Sequence, residues 1–467
     1  MTPAEALARL WREAGLPEAA LGGIAFAGTD PVLPSSFAIG TAAAASIGAE
    51  ALAAALLLER RGGHAPEAAP RPAARVALRD AAIEFRSERY LRVNGAPPPD
   101  PHDSIHGLYR TADGWVRLHT NFPHHHDGLL HLLGCAHDKA AVARALSQRQ
   151  AEAFDREATA AGLAVAWLRS FADWHASPEG AALSAQPTVS LTRFGDALAV
   201  PLPPSSRPLA GVRVLDLTRV IAGPVAGRAL AAYGADVLAI AAPHLPQLGA
   251  AVIDTGRGKL SAFLDLREER ARDRLRELVR SADVFLQSYR PGALERHGFG
   301  AEDVARLRPG IVHATLSAYG FAGPWAGRRG FDSLVQTASG FNDAEAKAAG
   351  EAVPKPLPAQ ALDHGSGHLL AFGIIAALLR RHEEGGGFRV RVSLARTGLW
   401  LRSLGRVEGG FACPDPGAAD VADRLEEADS GFGRLTVVRP AAELPASPLR
   451  HDRPAAKLGM HPPTWPD

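Results

Sequence analysis

Residues Val212 to Ile240, VRVLDLTRVIAGPVAGRALAAYGADVLAI, give the clearest indication of the fold class. It begins with a short apolar run rich in β-branched residues, 212–217, which predicts a strand. Gly223-Pro224 opens a helical stretch, 225–233, and after a glycine a second apolar run over 235–240 predicts another strand. Strand, helix and strand at this spacing indicate parallel strands joined by a crossover helix.

The same alternation continues toward the C-terminus. It predicts strands over 260–266, 284–286 and 311–317 and helices over 268–282 and 302–307. The sequence therefore predicts an α/β fold with a doubly wound, parallel, Rossmann-like sheet. The first strand-to-helix turn holds one glycine where the dinucleotide-binding fingerprint needs three, so no nucleotide cofactor is predicted from the fold class.

Composition narrows the function classes. The 467 residues include 51 basic and 50 acidic side chains, and the net charge of +1 gives no general attraction to phosphate backbones. A nucleic-acid partner is therefore not expected. With 46% hydrophobic and 22% charged residues, the chain has the composition of a folded globular protein and not of a disordered one.

The chain contains two cysteines, Cys135 and Cys413, which exclude a disulfide framework and a cysteine-rich zinc site. Its first residues lack a basic stretch followed by an apolar one, so no signal peptide is predicted and a cytoplasmic location is expected. The longest apolar run, Phe37–Leu58, contains Glu50 and predicts a buried helix, with no membrane span.

A histidine run, His124-His125-His126-Asp127, invites a metal-site interpretation. Consecutive histidines point in different directions, and no second cluster has ligand spacing. We interpret the run as a polar loop before a helix at Leu129 and predict no metal.

The chain also shows a partial internal repeat. Helix, glycine turn, strand and helix follow one another around Arg60-Arg61-Gly62-Gly63 and again around Arg380-Arg381. When the two copies are aligned on these arginine pairs, Asp363 falls opposite Ala43, so only the second copy can use a carboxylate at that position.

Asp363 lies in the sequence QALDHGSGH, immediately before a long apolar helix. The simpler interpretation is an N-cap, whose carboxylate accepts backbone N–H bonds. The alternative interpretation gives Asp363 a catalytic role at the same position before the helix. A carboxylate among small residues leaves room for a bulky substrate, and it can act as a nucleophile that forms an acyl anhydride.

Residues from Gly211 to about Arg402 resemble the catalytic domain of the family III (CaiB/BaiF) CoA-transferases, a superfamily with formyl-CoA transferase, carnitine CoA-transferase and the α-methylacyl-CoA racemases. The matching segments keep the family's order. They are RVLDLTRVIAGP (213–224), YGADV (233–237), GRGK (256–259), LDL (264–266), ADV (282–284), YRPGAL (289–294), GF (298–299), GFD (330–332) and the Asp363 segment.

The resemblance implies a mechanism. A carboxylate at the Asp363 position attacks the thioester of an acyl-CoA donor, and CoA returns to give an aspartyl-CoA thioester that a carboxylic acid acceptor then takes over. CoA and acyl-CoA would be substrates, with no permanently bound cofactor.

The resemblance also implies a CoA site. Val220, Ile221 and Ala222 match the segment that lines CoA. The matches to basic, adenine and phosphate contacts are Arg257, Lys259, Ser288, Tyr289, Arg296, His297 and Arg329. The family's Lys-x-Glu after the second strand is absent, because Ala239, Ala241 and Ala242 occupy that place.

The resemblance to the family's smaller α+β domain extends loosely into the first half. We predict four parts: a degenerate CoA-transferase copy over 1–200, a linker over 201–210 with a proline-rich core, a catalytic domain over 211–410, and a tail over 411–467 that packs back on the fold. We expect a pseudo-symmetric monomer or a homodimer.

Two alternatives remain open. One is an acyl-CoA epimerase or isomerase on the same fold. The resemblance implies that the family's racemases use a histidine as a base where this chain has Phe331, before Asp332; His364 could substitute, although we interpret it as a first-turn residue that faces solvent. A non-catalytic CoA-binding protein is the other alternative.

Overall fold

The computed structural model describes residues 1–62 and 72–466. The elements of the first half are α1 (Pro3–Glu13), β1 (Ile24–Ala27), α2 (Ile39–Arg60), β2 (Ala74–Ala77), α3 (Leu78–Glu84), α4 (Ser87–Tyr90), β3 (Arg92–Val93), β4 (Gly107–Arg110), β5 (Trp115–Leu118), α5 (Pro123–Leu133), α6 (Lys139–Ser147), α7 (Ala151–Ala160), β6 (Val165–Trp167), α8 (Phe171–Ala176), α9 (Pro178–Ser184) and β7 (Ser190–Phe194).

The second half continues with β8 (Arg213–Leu217), α10 (Ala222–Ala232), β9 (Asp236–Ala241), α11 (Gly249–Thr255), β10 (Lys259–Phe263), α12 (Glu269–Val279), β11 (Val284–Gln287), α13 (Ala301–Leu307), β12 (Val312–Ser317), α14 (Asp332–Ala338), α15 (Phe341–Ala349), α16 (Ala361–Glu384), β13 (Gly387–Ser393), α17 (Leu394–Ser403), β14 (Leu425–Ser430), β15 (Gly433–Val438) and β16 (Ala442–Glu443). Short 3-10 turns lie between some of these elements.

The large sheet has the strand order β10-β9-β8-β11-β12-β13-β7. The six strands from β10 to β13 are parallel, and their order reverses direction next to β8, as in a doubly wound sheet. The predicted α/β fold is therefore confirmed. The seventh strand, β7, comes from the first half and pairs antiparallel with β13.

Alternate residues of the parallel strands enter different cores, because successive side chains of a strand point to opposite faces. Val214 packs in the core that holds α10 and α16, whereas Leu215 packs in the core that holds α12. Helices cover both faces, which explains why these strands read as continuous apolar runs.

Two long helices, α2 and α16, pack against each other in the main core. By length and composition each could cross a membrane, but 94% and 100% of their most apolar windows are buried inside the fold. Phe37–Leu58 was predicted as a buried helix, and α2 is one. Gly63, which belongs to the first copy of the predicted repeat, lies outside the described residues.

A smaller α+β unit forms from the antiparallel sheet β4-β5-β6 and helices α5 to α7, around a core of its own. Two further three-stranded sheets combine the first half with the end of the chain, in the orders β1-β2-β16 and β14-β15-β3. Beyond them, the backbone N–H groups of Gly459 and His461 donate to Ser261 at the edge strand β10.

Several predicted boundaries were wrong by a few residues. Helix α10 begins at Ala222, three residues before the predicted start, and β10 ends at Phe263. The histidine run is not a loop but the first turn of α5, which starts at Pro123. Proline at the first helical position costs nothing, because its missing N–H would have no partner there.

Candidate active site

Asp363 is the third residue of α16 and is 7% exposed. Its backbone N–H and that of Leu362 both donate to one carboxylate oxygen of Asp332, at 2.9 and 2.8 Å. The N-cap position belongs to Gln360, whose side chain makes no capping bond. The helix start is therefore satisfied by Asp332, and the interpretation of Asp363 as an N-cap is wrong.

The carboxyl groups of Asp363 and Asp332 both have raised pKa values. Burial, then the neighbouring charges of Asp332 and Glu88, raises the pKa of Asp363 well above its usual range. Burial also raises the pKa of Asp332 to about 6, although its hydrogen bonds from Asp363, Gln336 and Leu362 act in the opposite direction. An ionised Asp363 carboxylate is thus a high-energy group, and a reaction that neutralises it would relieve that cost.

Two cavities meet at Asp363. The first, which we call the histidine cavity, has a volume of about 420 Å³. The second, which we call the arginine cavity, has a volume of about 410 Å³. Defining residues are His102, His106, His119 and Asn121 for the histidine cavity and Arg219, Arg290, Arg328 and Arg329 for the arginine cavity. Val220, Ile221, Phe331 and Asp363 line both.

The arginine cavity collects most of the predicted CoA-binding residues. Those that line it are Val220, Ile221, Ala222, Ser288, Tyr289 and Arg329. An adjoining cavity of about 190 Å³ shares Tyr289 and adds the predicted Arg296 and His297, together with Ala241 and Ala242. Arginines line both cavities, and their guanidinium groups suit an anionic molecule.

Arg257 and Lys259 lie apart from these surfaces. The Lys259 ammonium donates to the Asp216 carboxylate and to the Pro224 carbonyl, both at 2.8 Å, and burial lowers its pKa. Arg257 donates to the Val438 and Asp254 carbonyls. Lys259 lines a cavity of about 60 Å³ beside Val220, and Arg257 lines none of the cavities described above. The structure does not bring these two residues to Asp363.

Val220 marks the turn between β8 and α10. Its φ of 72° lies in the left-handed region, which is unfavourable for a β-branched residue. Such backbone strain of roughly 1–3 kcal/mol is found mostly at functional sites. The conformation places Val220 in the walls of both cavities, just before the free N–H groups at the start of α10.

The sequence missed the residues that the smaller α+β unit contributes. His119 stacks on Phe331 with ring centroids 3.6 Å apart, and His124 and His125 line the arginine cavity from the first turn of α5. The Phe-Pro pair at 122–123 was the available signal, because proline there marks a helix start.

His364 was predicted to face solvent, and this is wrong. Its side chain is fully buried, and its Nε2 lies 2.9 Å from a carboxylate oxygen of Glu88, which lines the histidine cavity. The described residues hold no cluster of three or more metal-ligating side chains.

The part of the chain that contains the large sheet and Asp363 matches a known protein family. The model of CoA-transferase family III matches residues 209–410, the segment that carries the sheet, α16 and Asp363. This segment belongs to CoA-transferase family III.

The chain has relatives in fungi, bacteria and mammals. It is 37% identical over 212 residues to acetyl-coenzyme A transferase nodX of Hypoxylon pulicicidum, covering 44% of this chain and 36% of the relative. It is 35% identical over 211 residues to the probable fatty acyl-CoA transferase Rv3272 of Mycobacterium tuberculosis, covering 42% and 53%. Succinyl-CoA:glutarate CoA-transferase of Mus musculus is 32% identical over 203 residues, covering 41% and 46%. The chain spans about half the length, or less, of these relatives.

Proposed function

We propose that this protein is a CoA-transferase that moves CoA from an acyl-CoA donor to a carboxylic acid acceptor, with Asp363 as the nucleophile. The observation that carries the proposal is the placement of the Asp363 carboxyl group at the junction of two cavities, while Asp332 takes over the helix cap. The family III match of residues 209–410 supports the same chemistry.

The first half-reaction has two steps. A carboxylate oxygen of Asp363 attacks the thioester carbonyl carbon, the C–S bond breaks, and the CoA thiolate leaves an aspartyl acyl anhydride. The thiolate then attacks the Asp363 carbonyl carbon of the anhydride, and the donor acid leaves as its carboxylate. The enzyme now holds an aspartyl-CoA thioester. Covalent catalysis of this kind divides one difficult exchange into smaller steps.

The second half-reaction runs the same steps in reverse with a different acid. The acceptor carboxylate attacks the aspartyl-CoA carbonyl carbon and expels the thiolate. The thiolate attacks the acceptor carbonyl of the new anhydride, which releases acyl-CoA and regenerates the Asp363 carboxylate. Once Asp363 is ionised, no step needs a further base, because the acceptor carboxylate and the CoA thiolate also attack as anions.

The chain's own residues supply binding and electrostatics. The arginine cavity would hold CoA, since guanidinium groups pair well with phosphates. The N–H groups that begin α10 lie beside Ala222 in the wall of this cavity and could stabilise an oxyanion. Charge repulsion from Asp332 and Glu88 disfavours free ionised Asp363, and both the anhydride and the thioester remove that charge.

Intact-protein mass spectrometry after mixing with a panel of acyl-CoAs tests the proposal. We expect a mass increase of one CoA less one water on the wild-type protein, lost on treatment with hydroxylamine, which leaves a hydroxamate at Asp363. Asp363→Ala should show no adduct. A matched control is Asp343→Ala, which removes an aspartate from a surface ion pair on α15 and should leave the adduct unchanged.

Absence of the adduct with every donor, despite measurable binding of CoA, would contradict the proposal. In that case α-proton exchange in deuterated water would separate an epimerase from a protein that only binds CoA.

A further inference from the structure

One wall of the histidine cavity is a row of neighbouring aromatic rings that ends at Phe331, which lines the cavity together with Asp363. The ring centroids of His102 and His106 lie 4.8 Å apart, and those of His106 and His119 lie 5.2 Å apart. His119 stacks in parallel on Phe331 at 3.6 Å, with an interplanar angle of 5°. Phe331 lies next to Asp332 in the chain, so the row ends where the proposed chemistry occurs.

The inner histidines of this row are uncharged. Burial, together with the nearby Arg117 charge, lowers the pKa of His106 to about 3. Burial and His106 lower the pKa of His119 well below its usual value. A neutral imidazole offers one N–H donor and one acceptor nitrogen. The cavity wall therefore has hydrogen-bonding capacity without positive charge.

This capacity is unused within the described parts of the chain. Neither the His106 ring nor the His119 ring takes part in a side-chain hydrogen bond there, and one nitrogen of each is buried without a partner. Asn121 accepts a hydrogen bond from the Asp103 N–H through its Oδ1, which leaves the Asn121 amide N–H₂ group available. A ligand that covers these polar groups without pairing them loses affinity, because the groups give up their hydrogen bonds to water.

The volume of the histidine cavity is larger than a very small acyl group would fill. Its 420 Å³ corresponds to about 14 liquid waters at about 30 Å³ each. An acetyl or formyl group would leave most of this space to water. An unsubstituted fatty chain would fill it but would cover the imidazoles and the amide without pairing them.

Apart from Asp363, the charged side chains that line the histidine cavity have partners within the protein or are exposed. Glu88 pairs with His364, and the Arg92 guanidinium donates to the Arg89 and Leu91 carbonyls. Arg89 is exposed at the rim. Asp332 also lines this cavity, and its carboxylate accepts hydrogen bonds from the Leu362 and Asp363 N–H groups. The polar groups that stay available beside Asp363 are thus the neutral imidazoles and the Asn121 amide.

We propose that the histidine cavity binds the body of the transferred acid and selects an uncharged, medium-sized acyl group that carries hydroxyl or keto groups. His106, His119 and Asn121 are the specificity-determining residues. The assignment of this cavity to the acyl group rests on the proposed function, since the arginine cavity is left for CoA.

Calorimetric titration of the full-length Asp363→Ala variant tests the proposal without turnover. The probes are the CoA thioesters of 3-phenylpropanoate and of its three ring-hydroxylated forms, with acetyl-CoA, octanoyl-CoA, succinyl-CoA and free CoA for comparison. We expect at least one hydroxylated thioester to bind about tenfold tighter than the unsubstituted one, and tighter than the acetyl, octanoyl and succinyl thioesters.

A second substitution in the Asp363→Ala variant tests which residues cause the preference for hydroxylated thioesters. Adding His106→Leu or Asn121→Leu should abolish the hydroxyl preference and leave the affinity for free CoA unchanged. Adding His106→Gln should retain part of the preference, because glutamine keeps a donor and an acceptor; this also guards against misfolding of the leucine variant. The exposed His175, changed to leucine, is the matched control and should not alter the preference.

The outcomes separate this proposal from the proposed function. Equal binding of hydroxylated and unsubstituted thioesters, or tightest binding of the acetyl, octanoyl or succinyl thioester, overturns the acyl selectivity even if wild-type Asp363 forms the adduct. A hydroxyl preference that depends on His106 or Asn121 supports the selectivity even if no adduct forms, and the transferase chemistry alone then fails.

Discussion

Helices α2 and α16 are capped in the same way at their first turn, but they differ in the side chain at the third helical residue. In α2, the carboxylate of Asp30 accepts hydrogen bonds from the N–H groups of Gly40 and Thr41 at 3.0 and 2.8 Å. In α16, Asp332 does the same for Leu362 and Asp363. Each helix is thus capped at its second and third residues by a remote aspartate.

The difference lies at the third residue. The Thr41 hydroxyl donates to the same Asp30 carboxylate at 2.7 Å, so its side chain completes the cap. An ionised Asp363 has no proton to donate and lines the two cavities instead. Because a distant aspartate caps the backbone, the side chain of the third residue is not needed as an N-cap. Threonine at this position adds a hydrogen bond to the cap, whereas aspartate places a carboxyl group at the cavities.

The comparison also changes the alignment of the predicted repeat. The arginine pairs at the helix ends place Ala43 opposite Asp363, but the caps place Thr41 there. The shift arises because Thr41 lies 19 positions before Arg60, whereas Asp363 lies 17 positions before Arg380. That the two regions arose by duplication stays a prediction.

Removing the capping aspartate of α16 should have the largest effect on CoA transfer, and removing that of α2 should have almost none. Asp332→Ala removes the partner of two buried N–H groups and frees the start of α16, so Asp363 moves relative to both cavities. We expect kcat/KM for CoA transfer to fall by about 100-fold or more, since displacements of about 1 Å can cost that much. Steady-state kinetics with the best donor measures it.

Asp30→Ala is the matched control for that change. It should lower the free energy of unfolding by about 0.5–2 kcal/mol, as loss of a helix cap does, and leave kcat/KM nearly unchanged. Equal losses of activity in the two variants would show that Asp332 has no special role in holding Asp363.

The two helices should also differ in how far an added methyl group at a buried glycine lowers the stability of the fold. A Cβ at Gly367 in α16 would lie 2.6 Å from the Ala222 carbonyl oxygen, whereas one at Gly48 in α2 would meet only the ends of the Ile24 and Phe26 side chains at 2.9 Å. Backbone yields less readily than a side-chain end. We expect Gly367→Ala to cost about 1–3 kcal/mol of unfolding free energy and Gly48→Ala distinctly less. Urea denaturation of both variants checks the order, and a larger loss for Gly48→Ala would refute it.

The ionisation of Asp363 provides a pH test. The Glu88 charge helps to raise the pKa of Asp363, and only the ionised carboxyl group attacks. Formation of the CoA adduct should therefore increase as pH rises through that pKa. In Glu88→Gln the increase should occur at lower pH, because one repelling charge is gone. The initial rate of adduct formation across a pH series measures the shift, and Glu88→Asp should retain most of the wild-type profile.

The smallest effect is expected at Thr41. Thr41→Val removes the hydroxyl group from the Asp30 cap and keeps the shape of the side chain. We expect a loss of about 0.5–1.5 kcal/mol in unfolding free energy and no change in CoA transfer. Thr41→Ser should restore the stability. A clear loss of transfer activity in Thr41→Val would show that the α2 cap is coupled to the site in α16.

The parallel sheet could be predicted because its signals are local. Strands β8 to β12 and the helices between them follow from runs of apolar residues and from glycine and proline positions. The strand β7 was missed, since its sequence SLTRF alternates weakly and its partner β13 lies almost 200 residues away. Pairing over such a distance leaves no mark on the local pattern.

The site could be predicted only in its second-half residues. Asp363 was found from its motif, but the stacking of His119 on Phe331 joins residues from two separate units. The burial of His364 has the same cause, because it is covered by Phe85, which follows the last residue of α3, and by Glu88 of α4. Contacts between distant elements depend on tertiary packing, which periodicity does not encode.

The sheets shared between the two ends of the chain have a consequence for synthesis. Strand β2 needs β16 and strand β3 needs β15, and both partners leave the ribosome more than 300 residues later. The N-terminal segment, including Glu88 and its contact to His364, must therefore wait in an incomplete state while the sheet domain folds. A nascent chain stopped after residue 410 would contain the whole family III segment and still lack the strands that close over its beginning.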